Sequence, residues 1–393
     1  MPDLSCEVLD ALNIKYLADD RRKQQTVIPA KRKQIRLTNF DTLLSEDIVH
    51  LDSQCAANER ILCDIISIKS EPRGDKSKCH TPLEKLIMPS SAEPRHKNSI
   101  DDSAPQCAGP LANLVAARVT LPSNACDSHL HILGPAIRYP YSPDRIYTPP
   151  DCLLADYLAL QKSLGLTRCV LVQPSVYGSD NSALLEALQS LGDTGRGVVV
   201  LSGKESTNEL RDMDAVGVKG VRVNLVDVKS PSANLPIEAL LRLQERISPL
   251  GWHLELLVHV DKYPNLDEEL SSLEVPIVFG HMGYLSRGVN PDHPGMTAML
   301  ALLQSGRAWA KITGPYRIGH EGSPYDTAAE IARRLTHHCM ERLVWGSDWP
   351  HVMVKGPMPH DADLLNAVTD WMPEQDQQQA LFSDNPAKLY QWP

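Results

Sequence analysis

"RCVLVQPSVYGSDNSALLEALQSLGDTGRGVVVLSG", residues 168–203, holds two short β-branched runs on either side of a segment with helical spacing. The runs "RCVLVQPSV" and "RGVVVLSG" are nearly continuous in apolar residues, as strands covered on both faces are. Between them, "NSALLEALQSLG" repeats its apolar residues at intervals of three and four, the signature of an amphipathic helix. A strand, a helix and a second strand in this order predict a parallel pair, because the helical crossover returns the chain to the edge it left.

The same unit recurs outward in both directions. Upstream lies "ACDSHLHI" (125–132), and downstream follow "VKGVRVNL" (218–225), "HLELLVHV" (253–260), "PIVFGHMG" (276–283), "WAKITGPYR" (309–317) and "LVWGSDWP" (343–350). Helix-period segments such as "PIEALLRLQERISPLG", "MTAMLALLQSG" and "PYDTAAEIARRLTHHC" separate most of them. Eight strand–helix units within residues 111–393 predict an α/β fold of the (β/α)8 TIM-barrel type rather than a doubly wound sheet. In such barrels the chemistry sits at the C-terminal ends of the strands. Those ends here carry His129 and His131, Gln173 and Ser175, Arg222 and Asn224, His259, His281, Arg317 and Asp348.

Residues 1–110 read differently. "IKSEPRGDKSKCHTPLEKLIMPSSAEPRHKNSIDDSAPQ" is polar and rich in Pro and Ser, with no sustained period. Such a stretch buries too little apolar surface to offset its ordering entropy, so a largely irregular N-terminal extension is expected. Short helical pieces are expected at "CEVLDALNIKYLADD" and "ANERILCDIISI", and "AKRKQIR" forms a basic cluster read as a solvated tail.

Charge and cysteine content narrow the function classes. The formal net charge is -10, and the excess of acid lies after residue 100. An acidic main domain argues against nucleic acid or an anionic membrane as the principal partner, though not against a small anion bound by a few arginines. No apolar run approaches the roughly 18 residues of a membrane helix, and the N-terminal residues lack an apolar signal core. Nine cysteines without a CxxC pair suit reduced thiols in the cytoplasm. The sequence does not indicate an oligomeric state.

"DSHLH" concentrates the chemistry. Asp127, His129 and His131 alternate along the first strand, and strand alternation would point all three side chains the same way. Two imidazoles at i and i+2 can converge on a zinc ion roughly 2.0–2.1 Å from each nitrogen, or donate to a carbonyl oxygen. With His281 in "VFGHMG" and Asp348 in "VWGSDWPH", this pattern resembles the amidohydrolase superfamily. "LVQPSVYGSDN", "WAKITGPYR" and "SDNPAKLY" are similar to its lactone-hydrolysing branch, the resemblance spanning roughly residues 120–393.

The resemblance implies a hydrolase that opens a small, anionic, carboxylated lactone with water activated by Asp348. His129, His131 and His281 would surround the carbonyl. Arg222 and Arg317, helped by Ser175, Tyr177 and Asn224, would hold the anionic substituents. Superfamily members with two metals bridge them through a strand-four lysine or acid, whereas strand four here ends in Arg222 and Asn224, so a binuclear centre is not expected. The implied cofactor is none, as in the pyrone-dicarboxylate hydrolase type, or one divalent metal such as zinc on His129, His131, His281 and Asp348, with His259 an additional candidate. The alternatives are a metal-dependent lactonase acting on sugar lactones or muconolactones and a zinc-dependent non-oxidative decarboxylase on the same barrel.

Overall fold

The structure, a computed structural model, describes residues 104–229, 233–318 and 325–393. The two helical pieces and the basic cluster read in the N-terminal extension lie outside these residues. Eight strands lie side by side in chain order, every neighbouring pair parallel. They are β1 (Cys126–Leu130), β2 (Arg168–Val172), β3 (Gly195–Val199), β4 (Val218–Asn224), β5 (His253–Leu257), β6 (Ile277–Phe279), β7 (Ala308–Ile312) and β8 (Leu343–Trp345). The main crossover helices are α1 (Leu154–Leu164), α2 (Ser182–Leu191), α3 (Thr207–Ala215), α4 (Ile237–Ile247), α5 (Leu266–Glu269), α6 (Pro294–Gln304) and α7 (Asp326–Cys339). After β8 come α8 (Asp361–Trp371), α9 (Gln375–Gln379) and α10 (Asn385–Leu389). This is the (β/α)8 barrel that the strand–helix rhythm predicts.

Local chemistry sets the helix ends. Ser206 accepts a hydrogen bond from the Glu209 amide, while the Glu209 carboxylate accepts from the Ser206 amide, so α3 starts on a reciprocal cap. Gly165 ends α1 in the left-handed region at φ 76°, where a side chain would be strained. At the opposite end of the barrel from the site, Asn385 donates to Met340 O and Leu343 O. Tyr390 and Trp392 are buried there beneath the strands, packed with Val170, Val198, Val278 and Trp309.

The seam between first and last strands is what places the site. The Asp348 amide donates to His129 O and the His131 amide to Trp349 O, each at 2.8 Å, just past the end of β8. Asp127 braces this seam: it accepts from the amides of His129 (3.1 Å) and Ser347 (2.9 Å), from Ser347 Oγ (2.6 Å) and from the Tyr157 hydroxyl on α1 (3.2 Å). Gly346 is required between them, because a Cβ there would lie 2.6 Å from the His129 amide nitrogen. The β1–β2 register shifts between Asp127 and Leu130, and an irregularity of this kind breaks strand alternation. The expectation that Asp127 shares a face with the two histidines therefore fails: Asp127 turns to the helix layer, and His129 and His131 face the barrel mouth.

Replacing Asp127 with Ala leaves several buried donors without an acceptor, each costing about 1–3 kcal/mol. Asp127→Ala should lower the unfolding free energy in urea by about 3 kcal/mol or more. A loss below about 1 kcal/mol would remove Asp127 from the seam's support.

Residues 104–110, read as part of the extension, lie against the segment that follows β1. The Cys107 amide donates to Thr148 O (3.0 Å) and the Thr148 amide to Pro105 O (2.8 Å).

Candidate active site

Strand ends bring His129, His131, His281 and Asp348 to one buried point. Asp348 Oδ1 lies 3.8 Å from His129 Nε2, 3.9 Å from His131 Nε2 and 4.0 Å from His281 Nε2. The other oxygen, Oδ2, accepts from the Tyr316 hydroxyl (2.5 Å) and from Arg317 Nε (2.6 Å). The carboxylate is thus fixed on one side and turns its free oxygen toward the three imidazoles. Asp348 and His281 occupy the left-handed region at φ 65° and 47°, uncommon for non-glycine residues and concentrated at functional sites.

Burial decides the protonation states. It pushes the imidazoles of His129, His131 and His281 down to about 3, so all three are neutral near pH 7. Burial, the largest single influence, would raise Asp348, but the Arg317 guanidinium together with His281, His129 and His131 outweighs it and holds the carboxyl well below its usual range. An ionised carboxylate among neutral rings is the resulting state.

Two of the rings are set by a partner behind them, whereas His281 Nδ1 has no hydrogen-bond partner among the described residues. His131 Nδ1 donates to Val172 O at 2.8 Å, which leaves Nε2 as a bare lone pair. His129 Nδ1 lies 3.2 Å from Lys311 Nζ and 3.4 Å from Glu255 Oε1, and those two groups form a buried ion pair at 2.5 Å. An ammonium only donates and a carboxylate only accepts. A bare Nδ1 facing Lys311 puts the proton on Nε2, whereas an Nδ1 proton facing Glu255 leaves Nε2 free to coordinate.

The donor set suits one divalent metal. His129, His281 and Asp348 carry ligand atoms all within 4.8 Å of one another, and His131 Nε2 approaches the same Asp348 oxygen. Buried Asp348 Oδ1 and His129 Nε2 have no hydrogen-bond partner among the described residues. Three imidazoles and a carboxylate are zinc-type ligands, and the carboxylate behind His129 is a common outer partner of a metal-bound histidine.

The residues expected to bind substrate divide. Ser175, Arg222 and Arg317 line one cavity with His131, His281 and Asp348. Arg222 donates from Nη1 to Gln173 O (2.8 Å), and Arg317 donates from Nη2 to Val352 O (3.0 Å) besides holding Asp348. Tyr177 and Asn224 are not among the cavity-lining residues. The Tyr177 hydroxyl is taken by the Gly134 amide (2.7 Å), and Asn224 bonds to the turn that follows it, including Asp227 (Nδ2 to Oδ2, 3.3 Å). His259 donates from Nδ1 to Tyr284 O (2.7 Å), away from the metal-type cluster.

Glu255, Lys311 and Tyr316, which surround the cluster, escaped the sequence reading. Glu255 and Lys311 are charged residues inside otherwise apolar strands, a signal that was present in "HLELLVHV" and "WAKITG". Tyr316 stands beside Arg317, and His351 links it to Asp361, with Tyr316 Oη to His351 Nδ1 at 3.1 Å and His351 Nε2 to Asp361 Oδ1 at 2.9 Å.

A closed parallel barrel with paired histidines on its first strand, a histidine after the sixth and an aspartate after the eighth has the architecture of amidohydrolase-type enzymes. The chain belongs to the amidohydrolase family, whose pattern matches residues 126–392. It is 35% identical over 288 residues to 4-sulfomuconolactone hydrolase of Rhizobium radiobacter, which spans 73% of this chain and 96% of that protein. It is 33% identical over 292 residues to 2-pyrone-4,6-dicarboxylate hydrolase of Comamonas testosteroni, covering 72% and 94%. A solved structure of a probable 2-pyrone-4,6-dicarboxylic acid hydrolase from Acinetobacter baumannii, with citric acid bound, superposes with a TM-score of 0.62 at 26% identity, covering 68% and 99%. The family and fold expected from the sequence are both borne out.

Proposed function

We propose that this enzyme hydrolyses a carboxylated lactone, with Asp348 as general base and Arg222 and Arg317 beside the substrate's anionic part. The observation that carries the reading is the free Asp348 Oδ1, ionised and facing the imidazoles at the floor of an arginine-lined cavity. The names of the two similar hydrolases support the lactone class.

The chain's own groups account for the proton movements. Asp348 Oδ1 takes a proton from water, whose oxygen bonds to the lactone carbonyl carbon as the carbonyl π pair moves onto oxygen. His129, in the form with Lys311 on its Nδ1, presents an Nε2 proton to that oxyanion. His131, lacking an Nε2 proton, accepts from the attacking water. Collapse breaks the ring C–O bond, and the departing oxygen takes the proton from Asp348. Held by His129, His131, His281 and Asp348, a divalent metal would supply Lewis acidity and a more acidic water at the same place.

Arg222→Met removes the guanidinium at nearly constant volume. We expect kcat/KM to fall about 10²-fold, chiefly through KM, as loss of one partner of a buried charge pair does. An unchanged KM in the folded variant would take Arg222 out of substrate binding.

Purified protein assayed for metal and for turnover of pyrone-dicarboxylate, sugar lactones and muconolactones, before and after chelation, tests the whole reading. Ring opening supports it; carbon dioxide release would identify a decarboxylase instead, and no turnover would defeat it. A cytoplasmic location is part of the proposal, consistent with five free cysteines among the described residues. No helix among these residues is long and apolar enough to cross a membrane. The acidic balance of the barrel supports a small-molecule partner in preference to nucleic acid.

A further inference from the structure

Charge around the cavity is unevenly matched. Of the two arginines that line it, Arg317 already pairs with Asp348. Arg222 has no carboxylate partner among the described residues, and its buried Nε has no hydrogen-bond partner there. Two carboxylates line the same space: Asp348, compensated by Arg317, and Asp227, which forms no ion pair with any described residue. The turn after β4 fixes Asp227 in place. Asn224 Oδ1 accepts from the amides of Val226 (3.0 Å) and Asp227 (2.9 Å), and Asn224 Nδ2 donates to Asp227 Oδ2 (3.3 Å).

The cavity therefore offers one open cation and one uncompensated anion. A ring with two carboxylates would satisfy Arg222 with one of them and bring the other into a space whose remaining guanidinium is occupied and whose wall carries Asp227. Like charges confined together are strongly disfavoured and serve to reject wrong ligands. A hydroxyl in place of the second carboxylate would donate to Asp227 in a charge-assisted hydrogen bond.

We infer that the substrate is a lactone with a single carboxylate or sulfonate and at least one hydroxyl, and that Asp227 selects it against dianionic rings. The inference rests on the lactone-hydrolase reading for the word lactone, but the charge preference can be measured without turnover. Two stable rings differ in the one substituent that matters: 3-hydroxybenzoate and benzene-1,3-dicarboxylate. Calorimetric titration of the full chain with each, for wild type and Asp227→Asn, reads the preference directly.

The wild type should bind 3-hydroxybenzoate about tenfold or more tightly than the dicarboxylate, and Asp227→Asn should narrow or invert that ratio by a similar factor. In parallel, kcat/KM should favour a hydroxylated monocarboxylate sugar lactone over pyrone-dicarboxylate, and the variant should shift it the same way. Tighter dicarboxylate binding by the wild type, a ratio unmoved in the folded variant, or binding of neither ring overturns the inference. The predicted binding ratio without turnover of any lactone would instead defeat the lactone-hydrolase reading and leave the charge selection standing.

Discussion

Asp348→Asn should lose roughly 10³–10⁴-fold in kcat, the contribution a positioned general base makes, with KM little changed. The amide retains an oxygen to accept from Tyr316 and Arg317, so the turn after β8 keeps its shape. Its NH₂ replaces the free oxygen facing the imidazoles, and an amide cannot remove a proton from water. The variant should fold by circular dichroism with a lowered midpoint, because Arg317 loses its counter-charge. Turnover within about tenfold of wild type in a folded variant would reassign the base, since that loss is smaller than a general base contributes.

The second large effect concerns acid stability. Burial holds His129, His131 and His281 near about 3 and His253 near about 4, against about 6.5 for an exposed ring. Below the ordinary value the unfolded chain takes up these protons and the native barrel does not, so stability is full above it and falls as the pH drops. Asp127 acts in the opposite sense: burial raises its carboxyl to about 6, so the native state takes up a proton between that pH and the ordinary carboxylate range. Asp348 and Glu255, held well below their usual values by Arg317 and Lys311 despite burial, add further loss in stronger acid.

Around pH 5, four imidazoles less one carboxyl leave about three protons of difference, a slope of about 4 kcal/mol per pH unit. Against a typical stability of about 5–15 kcal/mol, the roughly 10 kcal/mol lost by about pH 4 removes most of it, so cooperative unfolding should set in around pH 4 to 5. Unfolding followed by circular dichroism against pH, together with proton uptake, measures this slope. A midpoint in urea that stays constant from about pH 7 to about pH 4 would show that the rings are not held neutral by burial.

Much of this molecule was legible in its sequence because parallel strands buried on both faces are written as unbroken apolar runs. "RCVLVQPSV" and "RGVVVLSG" could hardly be anything else, and strand polarity then put His129, His131, His281 and Asp348 at one mouth. What remained hidden depends on how the ends are tied. The register shift at β1 separates Asp127 from the histidines beside it, and periodicity alone does not report a shift. Tyr177 and Asn224 sit at the expected strand ends, yet a backbone amide and a local turn engage their polar groups. Asp227 lies in the turn after β4, beyond any strand signal, and only the folded turn brings it to the cavity wall.

The seam has a temporal meaning as well. Asp127 and Ser347, whose contact underlies both His129 and Asp348, stand 220 positions apart in the chain. Contacts of such separation form late, because the intervening chain must be ordered before they reward closure. On a ribosome, therefore, the cluster of His129, His131, His281 and Asp348 stays unassembled until the last strand has emerged and docked on the first. Assembly of that cluster and completion of the barrel become one event, so partly made chains are expected to be inert.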